Sequence, residues 1–549
     1  MKRLRFPFHP LLLSAYSVLH LYACNIVYVP FQDALRCSAL SLGFAAFFLI
    51  CFRLILRSWV KAGVLCSLLM TMFFTFGQIA NWLESRTSQL TLDLDFTLFA
   101  AIWLSLFLVL AFVLIRAGLP ETTTFCLNIT SLILIAFPLT TILSYAYLQI
   151  VGPEPHDDVL ADIRGEAVAE AAMGQISPSD LPDIYYIVPD AYGRADVLSD
   201  LYDYDNSSFI RALEERGFYV ASESHSNYLN TTYSLNTSLN LIYFHDFPAS
   251  LIKTARYNLR TNYVTAFLRE QGYQIVVFDS GTSYTNYQYA DYYLSPPRAR
   301  LDDGKDVNAF EHLVLRSTMG LLLFKRNPMG DSLDKANDIF VSSVNRAFSQ
   351  GRARIEYAFE RMPDFSSLEG HYFVFAHIYL PHIPFLYGPE GEALKYHEDL
   401  QVYWYEVETE SHVEYYNYQV DYVNQALLET IDRILMEAKK PLVIVLQSDH
   451  GDDRFFNWDD PTTQGVHVRS AILNAIYYSD GEYGSLYPSI TPVNTFRVTL
   501  NHFFGTGYPL LHDKVFFHEP PLSVPFNEVP QFMNACTYLN LCLPGPLQR

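Results

Sequence analysis

VIVLQSDHGDD, residues 443–453, is the stretch on which the reading of this chain turns. Val443 to Leu446 is apolar and rich in β-branched residues, the composition of a strand buried on both faces. It runs through Gln447 into Ser448, Asp449, His450, Gly451, Asp452 and Asp453. A strand that only fills a core needs no such ending. In open α/β sheets, ligands bind just beyond the carboxyl ends of strands, so the groups that follow each apolar run are the ones to weigh. A lone Asp there is most simply a cap or turn residue. Asp449 and His450 together offer two ligand types, and Gly451 behind them permits a sharp turn. Asp452 and Asp453 read most simply as solvated loop acids, with orienting the turn or binding substrate as the alternatives.

Outward from this stretch, further strands are predicted at 183–188, 273–278, 372–378 and 471–478, with 442–447 among them. Helices are predicted near 206–216, 262–271, 334–361 and 413–438. This alternation implies an α/β domain with a largely parallel central sheet. The first strand is followed by PDAYGR with Asp190, and the strand at 372–378 by YLPHIPF with His382, shortly after His377. Three strands thus end in oxygen or imidazole groups, as a metal site requires. Between the first two strands lies SNYLNTTYSLNTSLNLIY, residues 226–243, hydroxyl-rich and then apolar at helical spacing. Thr231 or Thr232 stands where that helix begins. Such a hydroxyl serves as a helix cap, and beside a metal it also makes an activated nucleophile. Arg469, in VHVRSAIL, suits a phosphate oxygen or an ion pair equally. His377 and His467 read as structural or as supports for ligands.

The first 150 residues differ in kind. Apolar stretches near 10–30, 38–56, 62–82, 96–115 and 125–148 are each about long enough to cross a bilayer, which predicts a membrane domain of about five helices over 1–150. Lys2, Arg3 and Arg5 precede the first, Arg53, Arg57 and Lys61 separate the second and third, and Arg116 follows the fourth. The positive-inside rule then puts the N-terminus in the cytoplasm and everything after the fifth span outside it. The basic start is followed by several spans, which argues against a cleaved signal peptide. Residues 151–181, bounded by prolines, read as a linker, 182–525 as the α/β domain and 526–549 as a tail. Cys536 and Cys542 in that tail are suited to pair in an oxidising compartment. Of the 37 Lys/Arg and 58 Asp/Glu, only nine and five fall before residue 151. The remainder is strongly acidic and repels nucleic acid phosphates, so no nucleic acid partner is expected.

In this order, PDAYGR, the hydroxyl-rich helix start, FAHIYLPHIPF and QSDHGDD resemble the sulfatase-like branch of the alkaline phosphatase superfamily. The membrane half with an outer catalytic domain is similar to lipoteichoic acid synthases and phosphoethanolamine transferases. The resemblance covers most of 181–520. It implies Asp190, Thr231, Asp449 and His450 as the shell of one divalent metal ion, Mn or Zn. It implies Thr231 as a transiently esterified nucleophile, Thr232 being the neighbouring alternative, and His382 as a contact to the transferred group or leaving oxygen. The implied activity is transfer or hydrolysis of phosphate esters on membrane lipid headgroups or surface glycopolymers, at a plasma or inner membrane. Sulfuric ester or phosphomonoester hydrolysis, and a non-catalytic scaffold, are the alternatives. The chain departs from formylglycine sulfatases in having no C/S-x-P-x-R at the nucleophile. It departs from two-zinc relatives in that no Asp stands four before any of its 16 histidines.

Overall fold

The computed structural model describes residues 6–26, 29, 31–88, 96–151, 181–246, 259, 262–282, 285, 290–301, 308–323, 334–395, 409–457, 461–517 and 527–528. The expected linker, apart from Val151 and Leu181, and the Cys536–Cys542 pair lie outside them. Two compact units make up the chain: Met1–Ile150 with Asp302–Ala347, and Val151–Leu301 with Phe348–Arg549.

The first unit is built on α1 (His9–Cys24), α2 (Phe31–Leu56), α3 (Trp59–Ser88), α4 (Phe96–Arg116) and α5 (Glu121–Val151). Four of these, α2 to α5, are long and apolar enough to cross a membrane. The predicted count was about five. At 16 residues, α1 rises roughly 24 Å, short of the ~30 Å hydrocarbon core. Its course is nevertheless that of a full bundle member. Near its start, the His9 amide donates to Asn128 Oδ1 of α5, and His9 Nδ1 lies 2.5 Å from Ser67 Oγ of α3. Near its end, Tyr22 meets Phe31 of α2, ring to edge. Gly63 permits the close approach at the starting end: an added Cβ there would stand 2.5 Å from Pro7 Cβ. Arg53 and Lys61 lie at this same end, where Lys61 Nζ donates to the Ile115 carbonyl and Arg53 lies over Trp59.

The opposite end carries a segment from much later in the chain. It forms a helix over Ala309–Ser317, the inserted helix. Asn308 and Glu311 close a capping box at its N-terminus. Glu311 also forms a two-pronged ion pair with Arg36 of α2, and Asn308 donates to the Asp33 carbonyl. Phe310 is buried against Tyr22, and Leu321, just beyond, against Phe76 and Ala80.

The second unit is organised by a seven-stranded sheet. Its strands are β1 (Asp183–Pro189), β2 (Tyr219–Val220), β3 (Tyr273–Phe278), β4 (Tyr292–Leu294), β5 (His371–Ile378), β6 (Leu442–Gln447) and β7 (Asn474–Tyr478), in the order β2-β7-β6-β1-β5-β3-β4. From β6 to β4 all neighbours are parallel, and β7 and β2 are antiparallel. The expected strands all appear, β7 three residues later than predicted. β2 and β4, with two and three residues, are too short for a period to show. Every residue of β1 and β6 is buried, as befits central strands covered on both faces. The helix Pro492–Phe504 packs on the face formed by Tyr186, Phe373 and Tyr478.

Below the antiparallel edge, Arg194 donates to the Ser224 carbonyl, pairs with Asp196 at 2.7 Å, and lies 3.4 Å from His225 Nε2. The His467 ring centroid is 5.7 Å from that of His225. Burial, then the Arg194 charge, holds both imidazoles below their ordinary value, His467 at about 4. A neutral folded His467 faces an unfolded chain that takes up its proton near pH 6.5. Its contribution is therefore complete above pH 6.5 and drains away as the pH falls to about 4, a loss of about 3 kcal/mol. The melting temperature of the second unit should fall across this window, and His467→Gln should flatten the slope. An unchanged slope in that variant would assign the acid sensitivity elsewhere.

Candidate metal centre

Chain geometry brings the carboxyl ends of β1 and β6, adjacent and parallel, to one place, and with them Asp190 and Asp449-His450. Asp190 follows β1 directly, and its amide donates to the Ile378 carbonyl of β5. The next residue, Ala191, sits at φ +64, a left-handed conformation costing roughly 1 kcal/mol in a non-glycine residue. Two bonds hold it there: Ala191 N–H to Asp449 Oδ1, and Tyr416 O–H to the Ala191 carbonyl. The turn after β6 is tighter. Gly451 approaches the opposing backbone so closely that an added Cβ would stand 2.0 Å from the Val468 carbonyl oxygen.

Asp190, Asp449 and His450 are 1% exposed, and one ligand atom from each lies within 4.8 Å of the others. His450 Nε2 is 3.6 Å from Asp190 Oδ1 and 3.3 Å from Asp449 Oδ2. Thr231 Oγ1 lies 3.1 Å from the same nitrogen. It stands at the first position of the helix Thr231–Asn240, whose N-cap Asn230 accepts from the Thr232 amide. The local pattern explains this placement. Asn230 prefers the cap, and the positive end of the helix then faces the carboxylates. The Thr232 hydroxyl, one residue on, has no such contact with His450 among the described residues.

His450 is poised as a ligand by its other nitrogen. Nδ1 is 3.0 Å from the Gly451 carbonyl, so it carries the hydrogen and leaves Nε2 bare. Burial and Arg469 keep this imidazole below its ordinary pKa, hence neutral. Burial opposes ionisation of Asp190, but His382, and His377 by hydrogen bond and charge, reverse that and hold its carboxyl below the usual range. Both oxygens of Asp190 and Oδ2 of Asp449 are buried without a hydrogen-bond donor of good geometry. Carboxylate oxygens so deeply buried are paired or coordinate metals. Two carboxylates, a bare imidazole nitrogen and a hydroxyl form a donor set suited to a divalent cation.

His382 is half-buried. Its amide donates to the Asp190 carbonyl and its ring centroid lies 6.2 Å from that of His450, so it faces the cluster. Arg469 comes to the cluster too, but in a supporting posture. Its guanidinium donates to the Leu229 and Gly451 carbonyls at 3.1 Å each, with Nη2 3.4 Å from His450 Nε2. It thus ties the segment before Thr231 to the turn after β6.

Asp452 departs from the simplest reading of the sequence, and His377 takes the supporting position that was open to it. Asp452 is 3% exposed rather than solvated. Its Oδ2 accepts from Tyr202 O–H at 2.7 Å and pairs with His412 Nε2 at 2.8 Å. These partners lie some 250 and 40 residues away in sequence, so no local signal gives them. His377 is drawn into the centre: fully buried, its Nε2 is 3.2 Å from Asp190 Oδ2 and 4.0 Å from Asp449 Oδ2. His467 instead lies beside His225 and Arg194.

No protein-family model matches the chain, and no curated protein does. Solved structures similar to it include the C-terminal periplasmic domain of EptC from Escherichia coli, 13% identical, covering 64% of this chain and 94% of that one at a TM-score of 0.38. The integral membrane lipooligosaccharide phosphoethanolamine transferase A of Neisseria meningitidis is 12% identical, with coverage of 91% and 95% and a TM-score of 0.37. Phosphoglycerol transferase GacH of Streptococcus pyogenes, in complex with sn-glycerol-1-phosphate, is 13% identical, with coverage of 63% and 78% and a TM-score of 0.36.

Gly451→Ala should misplace His450, because the Cβ has no space on the Val468 carbonyl. Divalent-ion affinity, measured by chelator competition, should fall at least about tenfold with the parallel sheet intact by circular dichroism. Retained affinity would show that the turn adapts.

Proposed function

We propose that this chain is a membrane-anchored, metal-dependent phosphotransferase of the sulfatase-like branch of the alkaline phosphatase superfamily. It moves a phospho-group between membrane lipid headgroups, or onto surface glycopolymers, through a threonine ester. One observation carries this reading. A helix-terminal hydroxyl, Thr231, lies 3.1 Å from the bare nitrogen of His450, beside two buried carboxylates of which both Asp190 oxygens and Asp449 Oδ2 lack a well-formed hydrogen bond among the described residues.

Asp190, Thr231, Asp449 and His450 would hold one divalent ion. When bound, such an ion lowers the pKa of the hydroxyl and neutralises charge on the phosphoryl oxygens. The protein's own groups supply the rest. Thr231 Oγ1 is the nucleophile, aimed by Asn230 and the start of its helix; it would enter as the alkoxide, its proton lost to solvent when the ion is taken up, and return to that form at the end of each cycle. As the Thr231 O–P bond forms and the bond from phosphorus to the leaving alcohol breaks, that alcohol needs a proton. His382, facing the cluster from the loop after β5, is placed to give it. A second alcohol or water then attacks phosphorus, yields its proton to His382 and restores the threonine. Arg469 holds the two loops in register.

The membrane setting also has support. Arg53 and Lys61 lie at one end of the helical bundle and the inserted helix packs at the other. With the basic end cytoplasmic, the inserted helix and the end of α5 lie on the outer side, where lipid headgroups and lipid-linked acceptors are available.

Incubation with labelled membrane phospholipid should leave a mass adduct on Thr231 and release labelled alcohol. Thr231→Ala should lose at least about a thousandfold in turnover, whereas Thr232→Val keeps the adduct. An adduct on neither residue would overturn the covalent route. Product analysis with and without a glycan or glycerol acceptor separates transfer from hydrolysis.

A further inference from the structure

We propose that Thr285 is a positioning residue of the metal centre: it fixes the His377 ring, and through it the Asp190 carboxylate, from beyond the carboxyl end of β3. The role rests on the reading of Asp190 as a metal ligand. After β3 the chain places three hydroxyls in a closed triangle. Ser280 Oγ lies 2.9 Å from Thr282 Oγ1 and 2.7 Å from Thr285 Oγ1, and the two threonine oxygens are 2.7 Å apart. The turn is held by Asp279, which accepts from Gly281 N–H, Ser295 O–H and Arg354 Nε–H.

Thr285 is fully buried, and its Oγ1 also reaches His377 Nδ1 at 3.3 Å. On the far side of the ring, Nε2 faces Asp190 Oδ2. A nitrogen aimed at a carboxylate carries a hydrogen. A hydroxyl suits Nδ1 whether that nitrogen is bare or protonated, because it can donate or accept while the triangle takes the complementary role. Without it, Nδ1 is buried with no hydrogen-bond partner among the described residues, and the ring loses the polar contact that sets its angle toward Asp190. The route β3 loop to β5 to β1 thus sets one oxygen of the carboxylate from two strands away.

The test is Zn²⁺ titration of the chelator-stripped full-length protein in detergent, with a competing chromophoric chelator. Thr285→Val, nearly isosteric, should weaken binding about tenfold, while Thr285→Ser stays within about twofold of wild type. In a His377→Ala background, Thr285→Val should cost nothing further. Wild-type affinity in Thr285→Val would overturn the proposal. So would a Ser variant as weak as Val, or a Val penalty that persists without His377, either of which marks a packing role. A wild-type protein that takes up no Zn²⁺ would overturn the metal reading itself, and the wild-type titration tells the two failures apart.

Discussion

Two carboxylates that the protein buries but does not satisfy are the constraint around which the second unit is arranged. Burial of an unpaired carboxylate costs several kcal/mol, and Asp190 and Asp449 stand side by side because β1 and β6 are parallel neighbours. Imidazoles answer part of the charge: His377 touches Asp190, His382 faces it from the next loop, and His450 approaches both acids. The remaining oxygen valences point inward at one spot, beside the start of a helix.

The scaffold around that spot is stiff for a reason visible in its bonds. Three distant helices reach the turn after β6 and the residues after β1. Tyr416 and His412 come from one helix, Tyr202 from another, and Arg469 from a third. Each contributes a polar contact to backbone or to Asp452, so the geometry does not depend on any one loop. Ala191 in its left-handed conformation shows the same economy: local strain at the ligand is tolerated because bonds from β6 and a tyrosine determine the position.

Much of this was legible in the sequence because it follows local rules. Apolar runs gave the central strands, and the residues just after them gave Asp190, Asp449 and His450. The hydroxyl pair Thr231 and Thr232 marked the helix start, although the cap itself is Asn230, one residue earlier. What was not legible depends on long-range closure. Asp452 looked like a loop acid because nothing near it announces Tyr202 or His412. His377 stayed open between a structural and a ligand-supporting role because its position within β5 says only that it is buried, not that β1 presents Asp190 to it. Thr285 stands in a polar stretch whose composition suggests a plain turn. The apolar stretch near 10–30 was overread for length, since Cys24 ends the helix while hydropathy runs on.

The inserted helix has a consequence for how the protein can be divided. Residues 302–347 belong to the helical unit although they lie between β4 and β5 of the other. The α/β unit is therefore joined to the helical unit at three points along the chain rather than hung from one tether. Proteolysis in the 151–181 stretch would leave both pieces associated. A fragment beginning after residue 180 would carry Phe310, Leu321 and an unpaired Glu311 into water with no bundle to receive them. A soluble version of the α/β unit calls for a second cut, with residues 302–347 replaced by a short polar bridge.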